Sequence, residues 1–94
     1  MSVPTLRVPP KLRELIRRSH PELKRKIRFA LAEILADPTA GKQLQKELKG
    51  YQSLRVGRFR IIYRAVEFGI DVIAIGPRST IYQEIAIATH RRQK

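Results

Sequence analysis

The chain has 94 residues, enough for one domain with a single modest core. It contains no cysteine, which excludes a disulfide framework and thiolate metal sites and agrees with a reducing compartment. No stretch approaches the roughly 20 apolar residues of a membrane span, and the first ten residues lack the apolar run of a secretory signal. We therefore expect one domain over residues 1–94, located in the cytoplasm.

The formal net charge of +12 is the most informative feature of the composition. Self-repulsion of that size lowers stability, so it usually accompanies contact with nucleic acid, an anionic membrane or an acidic protein. The basic residues extend from Arg7 to Lys94 without forming a block of like charge. The charge therefore belongs to the folded body and not to a tail.

The amino-terminal residues predict a short strand followed by a helix. Residues 5–8 favour an edge strand that ends at Pro9, and Pro10 suits the first turn of a helix because its missing N–H needs no partner there. One apolar stripe on this helix consists of Leu12, Leu15 and Ile16.

A second helix is predicted between a capping box and a proline. Ser19 and Glu22 have the spacing of an amino-terminal cap and its reciprocal partner, and Asp37-Pro38 ends the helix. Apolar residues recur at helical spacing between them, at Leu23, Ile27, Ala30, Leu31 and Ile34. The two helices should form a hairpin in which each buries one stripe.

Beyond residue 50 the apolar period changes to two, which predicts strands. Gly57-Arg58 suits a two-residue hairpin turn, and Gly69 suits the left-handed position of a three-residue loop. Strands are expected near 52–56, 59–66 and 70–75. The fold class is thus α+β: a helical hairpin on one face of a small antiparallel sheet of three to four strands, then a short carboxy-terminal helix capped by Thr80 and Gln83.

The register of the first hairpin predicts where the arginines point. A turn at 57–58 places Arg55 opposite Arg60, and side chains alternate between faces. Arg55, Arg60 and Arg64 therefore share one face, which we call the arginine face, and the apolar residues share the other, which we call the helix face. Like charges opposite each other destabilise a sheet by roughly 0.2–1 kcal/mol. Either an anion completes this arrangement, or the arginines only solubilise an open surface.

The second hairpin predicts a hollow on the arginine face. It pairs Tyr63 with Ile73 and places Asp71 on the helix face, so that no carboxylate of the strands lies among the arginines. Small side chains would surround the hollow and an apolar floor would line it; the residues concerned are Ile62, Val72, Ala74 and Gly76. Arg78 has the parity of Gly76 and should lie at the rim. Tyr82 follows one helical turn later on the same side, unless it only anchors the last helix.

Four segments together resemble the RelE/ParE superfamily of bacterial and archaeal toxins. They are LKGY at 48–51, LRVGRFRIIYR at 54–64, IAIGPR at 73–78 and IY at 81–82. The resemblance implies the toxin of a type II toxin–antitoxin module, held inactive by an acidic antitoxin. The RelE-like branch cuts mRNA in the ribosomal A site without a metal, whereas the ParE-like branch inhibits DNA gyrase by protein contact.

The resemblance also implies residue roles in RNA cleavage, in which a 2′-hydroxyl attacks the adjacent phosphorus. Such a reaction needs stabilisation of the phosphorane and a proton for the leaving oxygen. Arg60 would hold the phosphate, Arg78 would stabilise the developing charge, and Tyr82 would stack on a base or donate a proton. The expected RNA-binding residues are Lys49, Arg55, Arg58 and Arg64, with mRNA and ribosomal RNA as partners and neither metal nor cofactor.

The sequence departs from the ribonuclease pattern in two respects. Tyr51 and Ser53 stand on the first hairpin strand where ribonucleolytic relatives often carry lysines, and neither His20 nor His90 lies where some relatives place a histidine. The general base therefore has no candidate residue. A ParE-like inhibitor of gyrase and a simple RNA-binding domain remain as alternatives, and we expect an antitoxin segment to cover the arginine face.

Overall fold

A helical hairpin covers one face of a five-stranded mixed sheet in the computed structural model, which describes residues 5–77 and Ile81. The order of the strands across the sheet is β1-β5-β4-β3-β2. The helices are α1 (Pro10–Arg18) and α2 (Pro21–Ala36), and the strands are β1 (Thr5–Arg7), β2 (Lys42–Gln43), β3 (Gln52–Val56), β4 (Phe59–Val66) and β5 (Gly69–Pro77), with 3₁₀ turns at Pro38–Ala40 and Lys46–Leu48.

Both predicted helices are present, but the capping box is wrong. Ser19 ends α1, where its hydroxyl donates to the carbonyl of Leu15 at 2.7 Å. His20 caps α2, and its Nδ1 accepts from the N–H of Glu22 at 3.2 Å. The reason is Pro21, which occupies the first helical position and holds the residue before it in an extended conformation. The cap therefore moves one residue toward the helix.

The sheet has more strands than predicted and is mixed instead of antiparallel. The predicted edge strand at 5–8 exists as β1 but runs parallel to β5, whereas all other neighbours pair antiparallel. β2 was not predicted at all, since only two residues pair. The predicted carboxy-terminal helix, including its cap at Thr80 and Gln83, lies outside the described residues apart from Ile81.

The sequence predicted the length of the first hairpin turn correctly and that of the second wrongly. Gly57 adopts a φ of 61° in the predicted two-residue turn. The second turn is also a two-residue turn, because Val66 pairs with Gly69, and the predicted three-residue loop is wrong. Gly69 is required for a different reason: a Cβ there would collide with the carbonyl of Thr5, so the missing side chain allows β1 to approach.

A β-bulge in β5 changes which face its residues occupy. Ile62 pairs with Ala74 and Tyr63 pairs with Val72, so Ile73 is an extra residue and the predicted Tyr63–Ile73 pair is wrong. Val72 therefore joins the helix face, and Asp71 turns to the arginine face. Without the bulge the Asp71 carboxylate would point into the helical core, where an ionised group is costly.

The apolar residues form two clusters, one on each face of the sheet. The larger lies between the helices and the helix face; its buried members are Ile16, Ile27, Ala30, Leu31, Ile34, Val56, Ile61, Tyr63, Ile70, Val72 and Ile75. The smaller lies on the arginine face and consists of Leu48, Ile62 and Ile81. Among the described helices, none is long and apolar enough to cross a membrane.

Candidate nucleic-acid interface

The structure brings Arg55 and Arg60 together on the sheet face that points away from the helices. They are direct partners across β3 and β4, as predicted. Nη1 of Arg60 donates to Oγ of Ser53 at 3.1 Å, and Nε of Arg55 donates to the carbonyl of Gly57 at 3.3 Å. Ser53 is itself buried, so its hydroxyl holds the half-buried Arg60 in place. Two guanidinium groups side by side repel each other, and a phosphate bound between them would remove that repulsion.

The hollow predicted beside these arginines is filled. Ile62 is fully buried under the segment that carries Leu48, and a Cβ on Gly76 would lie 2.8 Å from Cδ1 of Ile81. Val72 is buried on the helix face, so it cannot form part of an apolar floor. The sequence pattern did not reveal that residues 42–51, which we call the covering segment, place Leu48 against Ile62 on this face. That segment contributes β2, and the N–H of Leu44 donates to the carbonyl of Tyr51 at 3.0 Å.

Tyr63 fixes the start of this covering segment from inside the core. Its hydroxyl donates to the carbonyl of Pro38 at 2.8 Å and accepts from the N–H of Gly41 at 2.8 Å. Burial raises the pKa of the Tyr63 phenol, and the Gly41 hydrogen bond offsets this in part. Gly41 must lack a side chain, because a Cβ would lie 2.5 Å from the Tyr63 oxygen. Sequence reasoning placed Tyr63 in the core but missed this role.

Arg64 lies on the predicted face but has a carboxylate partner. Its Nη2 is 3.6 Å from Oδ2 of Asp71, and Nη1 of Arg7 is 3.8 Å from Oδ1 of the same carboxylate. The prediction that no carboxylate lies among the arginines is therefore wrong, and the bulge at Ile73 is the cause. The sequence carries a sign of this bulge, because the apolar residues Ile70 and Val72 stand at even positions whereas Ile73 and Ile75 stand at odd positions.

The other predicted RNA-binding residues lie at opposite ends of β3. Arg58 is exposed in the turn beside Arg55, whereas Lys49 is exposed near the start of β3, in a groove that Ala65 also lines. The structure thus groups Arg58 with the arginine pair and separates Lys49 from it. Arg78 and Tyr82 lie outside the described residues. Among residues 5–77 and Ile81, no cluster of histidine and acidic side chains could hold a metal ion.

Comparison with known proteins identifies the family. The model of the ParE toxin of the type II toxin–antitoxin system parDE matches residues 9–82. The chain belongs to this family. It is therefore the toxin of a type II toxin–antitoxin module, with an antitoxin as partner, and the RelE/ParE resemblance is confirmed. No curated protein gives a significant match.

Solved structures of related toxins share the fold. The RelBE2 toxin–antitoxin complex from Mycobacterium tuberculosis matches with 26% identity and a TM-score of 0.66, over 79% of this toxin and 96% of that chain. The YoeB–YefM complex from Staphylococcus aureus matches with 18% identity and a TM-score of 0.66, over 78% and 94%. A mutant of Escherichia coli RelE in the free state matches with 18% identity and a TM-score of 0.69, over 94% and 97%.

Proposed function

We propose that this toxin is a ribosome-dependent endoribonuclease that cleaves mRNA and arrests translation. The observation that carries the proposal is the direct pairing of Arg55 with Arg60 on the arginine face, with Arg58 next to them in the turn. Guanidinium forks match phosphate oxygens. A bound phosphodiester would offset the repulsion within the pair. Arginines that only made the surface soluble would not need to be direct partners across two strands.

The proposed chemistry starts from the phosphate position. Arg60, oriented by the Ser53 hydroxyl, would bind the scissile phosphate and stabilise the negative charge that grows on its oxygens as the 2′-hydroxyl attacks. The family resemblance assigns Arg78 to the same charge and Tyr82 to base stacking or to protonation of the leaving 5′-oxygen. Orientation of the RNA by the ribosome would supply much of the remaining rate, because the 2′-hydroxyl attacks efficiently only when it is aligned with the phosphorus and the leaving 5′-oxygen.

An acidic antitoxin would neutralise the same residues. The formal charge of +12 favours a partner with many carboxylates. Carboxylates and phosphates compete for guanidinium groups, so an antitoxin segment over Arg55 and Arg60 would exclude RNA from them. Neutralisation would then be competition for a surface and would require no change of fold in the toxin.

The test compares Arg60→Ala with Arg17→Ala in a translation reaction, with mRNA cleavage mapped by primer extension. Arg17 is exposed on α1 and held by Glu14 at 2.7 Å, so its loss changes the net charge equally without touching the arginine face. We expect Arg60→Ala to cut about 10²–10³-fold more slowly, the usual effect of removing one donor to a developing oxyanion, and Arg17→Ala to cut normally. Cleavage by folded Arg60→Ala at the wild-type rate would refute the proposal.

Inhibition of DNA gyrase is a second candidate function. It is favoured by the match to the ParE model and by Tyr51 and Ser53 at positions where ribonucleolytic relatives often carry lysines. The buried Ser53 holds Arg60, so it leaves no basic side chain at that point of the strand. A gyrase supercoiling assay run beside the translation assay separates the two functions, because each activity should affect only one of them.

A further inference from the structure

A second group of arginines lies at the β1 edge of the sheet, apart from the Arg55–Arg60 pair. Arg7 of β1, Arg64 of β4 and Arg13 of α1 line one open groove, and Asp71 of β5 lies in it. Arg7 and Arg13 come from neighbouring elements near the amino terminus, whereas Arg64 comes from β4, far later in the chain. The parallel pairing of β1 with β5 and the bulge in β5 bring them together, so no local sequence pattern indicates the group.

The charges in this groove are not balanced. Of the described residues that line it, Asp71 is the only acidic one, against three guanidinium groups, which leaves these residues with a formal excess of two positive charges. Its contacts with Arg7 and Arg64, at 3.8 and 3.6 Å, are longer than hydrogen bonds. The arginine side chains are 75% and 48% exposed, whereas that of Asp71 is 18% exposed. The carboxylate thus holds two arginines near each other while their N–H donors can still bind another anion.

We propose that this groove binds the phosphodiester backbone of single-stranded RNA, with Asp71 as an internal competitor of the phosphate. The proposal deepens the proposed function, on which it rests. Arg64 lies four residues from Arg60 on the same strand and face, about 13 Å away, a distance that a few nucleotides span. One RNA strand can therefore contact both sites, and this continuity favours RNA over an acidic protein as the ligand.

Loss of the Asp71 charge should strengthen the binding of RNA in the groove. Removal of its charge ends the electrostatic attraction between the carboxylate and the two guanidinium groups, and it removes a negative charge that repels the incoming phosphate. Asp71→Asn should therefore bind RNA several-fold more tightly than wild type. Glu67→Gln is the matched control, since it makes the same change in net charge at an exposed residue in the β4–β5 turn. A general effect of net charge would move both variants equally.

The experiment measures binding of the full-length toxin to a short RNA oligonucleotide with 2′-O-methyl groups, which cannot be cleaved. Fluorescence anisotropy gives the dissociation constant over a series of salt concentrations. Loss of two phosphate contacts in Arg7→Ala/Arg13→Ala should reduce the salt-dependence slope by about 1.4, from about 0.7 per contact on a single strand. The matched control is Arg17→Ala/Arg18→Ala, whose arginines both bind Glu14. We expect this control to change the slope by less than half as much as Arg7→Ala/Arg13→Ala does.

Each outcome is decisive. A smaller slope for the groove variant than for its control, together with tighter binding by Asp71→Asn than by Glu67→Gln, supports the proposal. Equal slopes for the two double variants, or equal affinities for the two single variants, overturn it. If the groove variant loses antitoxin binding but keeps RNA binding, the groove contacts protein and the proposal is also overturned. Should Arg7→Ala/Arg13→Ala fail to fold, the comparison of Asp71→Asn with Glu67→Gln decides alone.

The result is independent of the test of the proposed function. The oligonucleotide reports binding only, whereas Arg60→Ala in a translation reaction reports cleavage. A toxin that binds RNA through the groove but cuts no mRNA refutes the ribonuclease alone. A toxin that cuts mRNA while its groove variants bind like their controls refutes the groove alone.

Discussion

The hydroxyl of Tyr63 should be a major source of stability for the covering segment, residues 42–51. Tyr63→Phe removes one oxygen from a fully buried side chain and breaks two hydrogen bonds of 2.8 Å, to the carbonyl of Pro38 and from the N–H of Gly41. Both broken bonds join residues more than 20 positions apart. A hydrogen bond contributes about 1 kcal/mol net, and partners left unsatisfied add to the loss. We therefore expect a loss of about 2 kcal/mol in the free energy of unfolding.

Urea denaturation followed by circular dichroism measures this loss in the free energy of unfolding, and a thermal scan measures the melting temperature. For a chain of this length, about 2 kcal/mol should lower the melting temperature by roughly 8–16 °C. Tyr51→Phe is the control, because Tyr51 is half-buried and the structure shows no hydrogen bond of its hydroxyl with a described residue. A Tyr63→Phe variant with the wild-type midpoint and slope would refute the reasoning, since the covering segment would then be held by apolar contacts alone.

Three further predictions concern pH, the core and the β1 edge. The pKa of Tyr63 is raised above 10.0 in the folded state. The stability that the neutral phenol contributes is therefore fully present below pH 10.0 and is lost as the pH rises through the folded-state pKa. Urea midpoints measured across this pH range should fall more steeply for wild type than for Tyr63→Phe. Ile27→Ala should lower the free energy of unfolding by about 2–5 kcal/mol, because Ile27 is fully buried on α2. Phe29→Ala on the same helix should lower it by less than about 0.5 kcal/mol, because Phe29 is 74% exposed. Equal losses in urea titrations of the two variants would contradict this. Gly69→Ala should push β1 away from β5, since a Cβ would collide with the carbonyl of Thr5; hydrogen exchange at residues 5–7 should then be faster than in wild type, and unchanged exchange would show that β1 is held by other contacts.

The candidate site was only partly predictable, and the bulge in β5 shows why. The register of the first hairpin follows from its turn, so the pairing of Arg55 with Arg60 was correct. The register of the second hairpin was correct as far as Ile62 and then failed, because one extra residue reverses every later side chain. Asp71 thereby changed from a predicted residue of the helix face to the partner of Arg64.

The sequence by itself determined the elements whose causes are local. Apolar spacing and prolines set α1 and α2, and Gly57 set the first turn with the strands on either side of it. It also determined the charge, and through its motifs the toxin family. These features depend on residues a few positions apart, whose geometry the backbone restricts to a few possibilities.

Only the tertiary structure decided where distant segments meet. The parallel pairing of β1 with β5, the packing of Leu48 against Ile62, and the approach of Arg7 and Arg13 to Arg64 and Asp71 all join residues that no local pattern connects. Each depends on which arrangement buries the most apolar surface while keeping the Asp71 carboxylate out of the core. That balance is a property of the whole packed molecule, and no single stretch of the chain contains it.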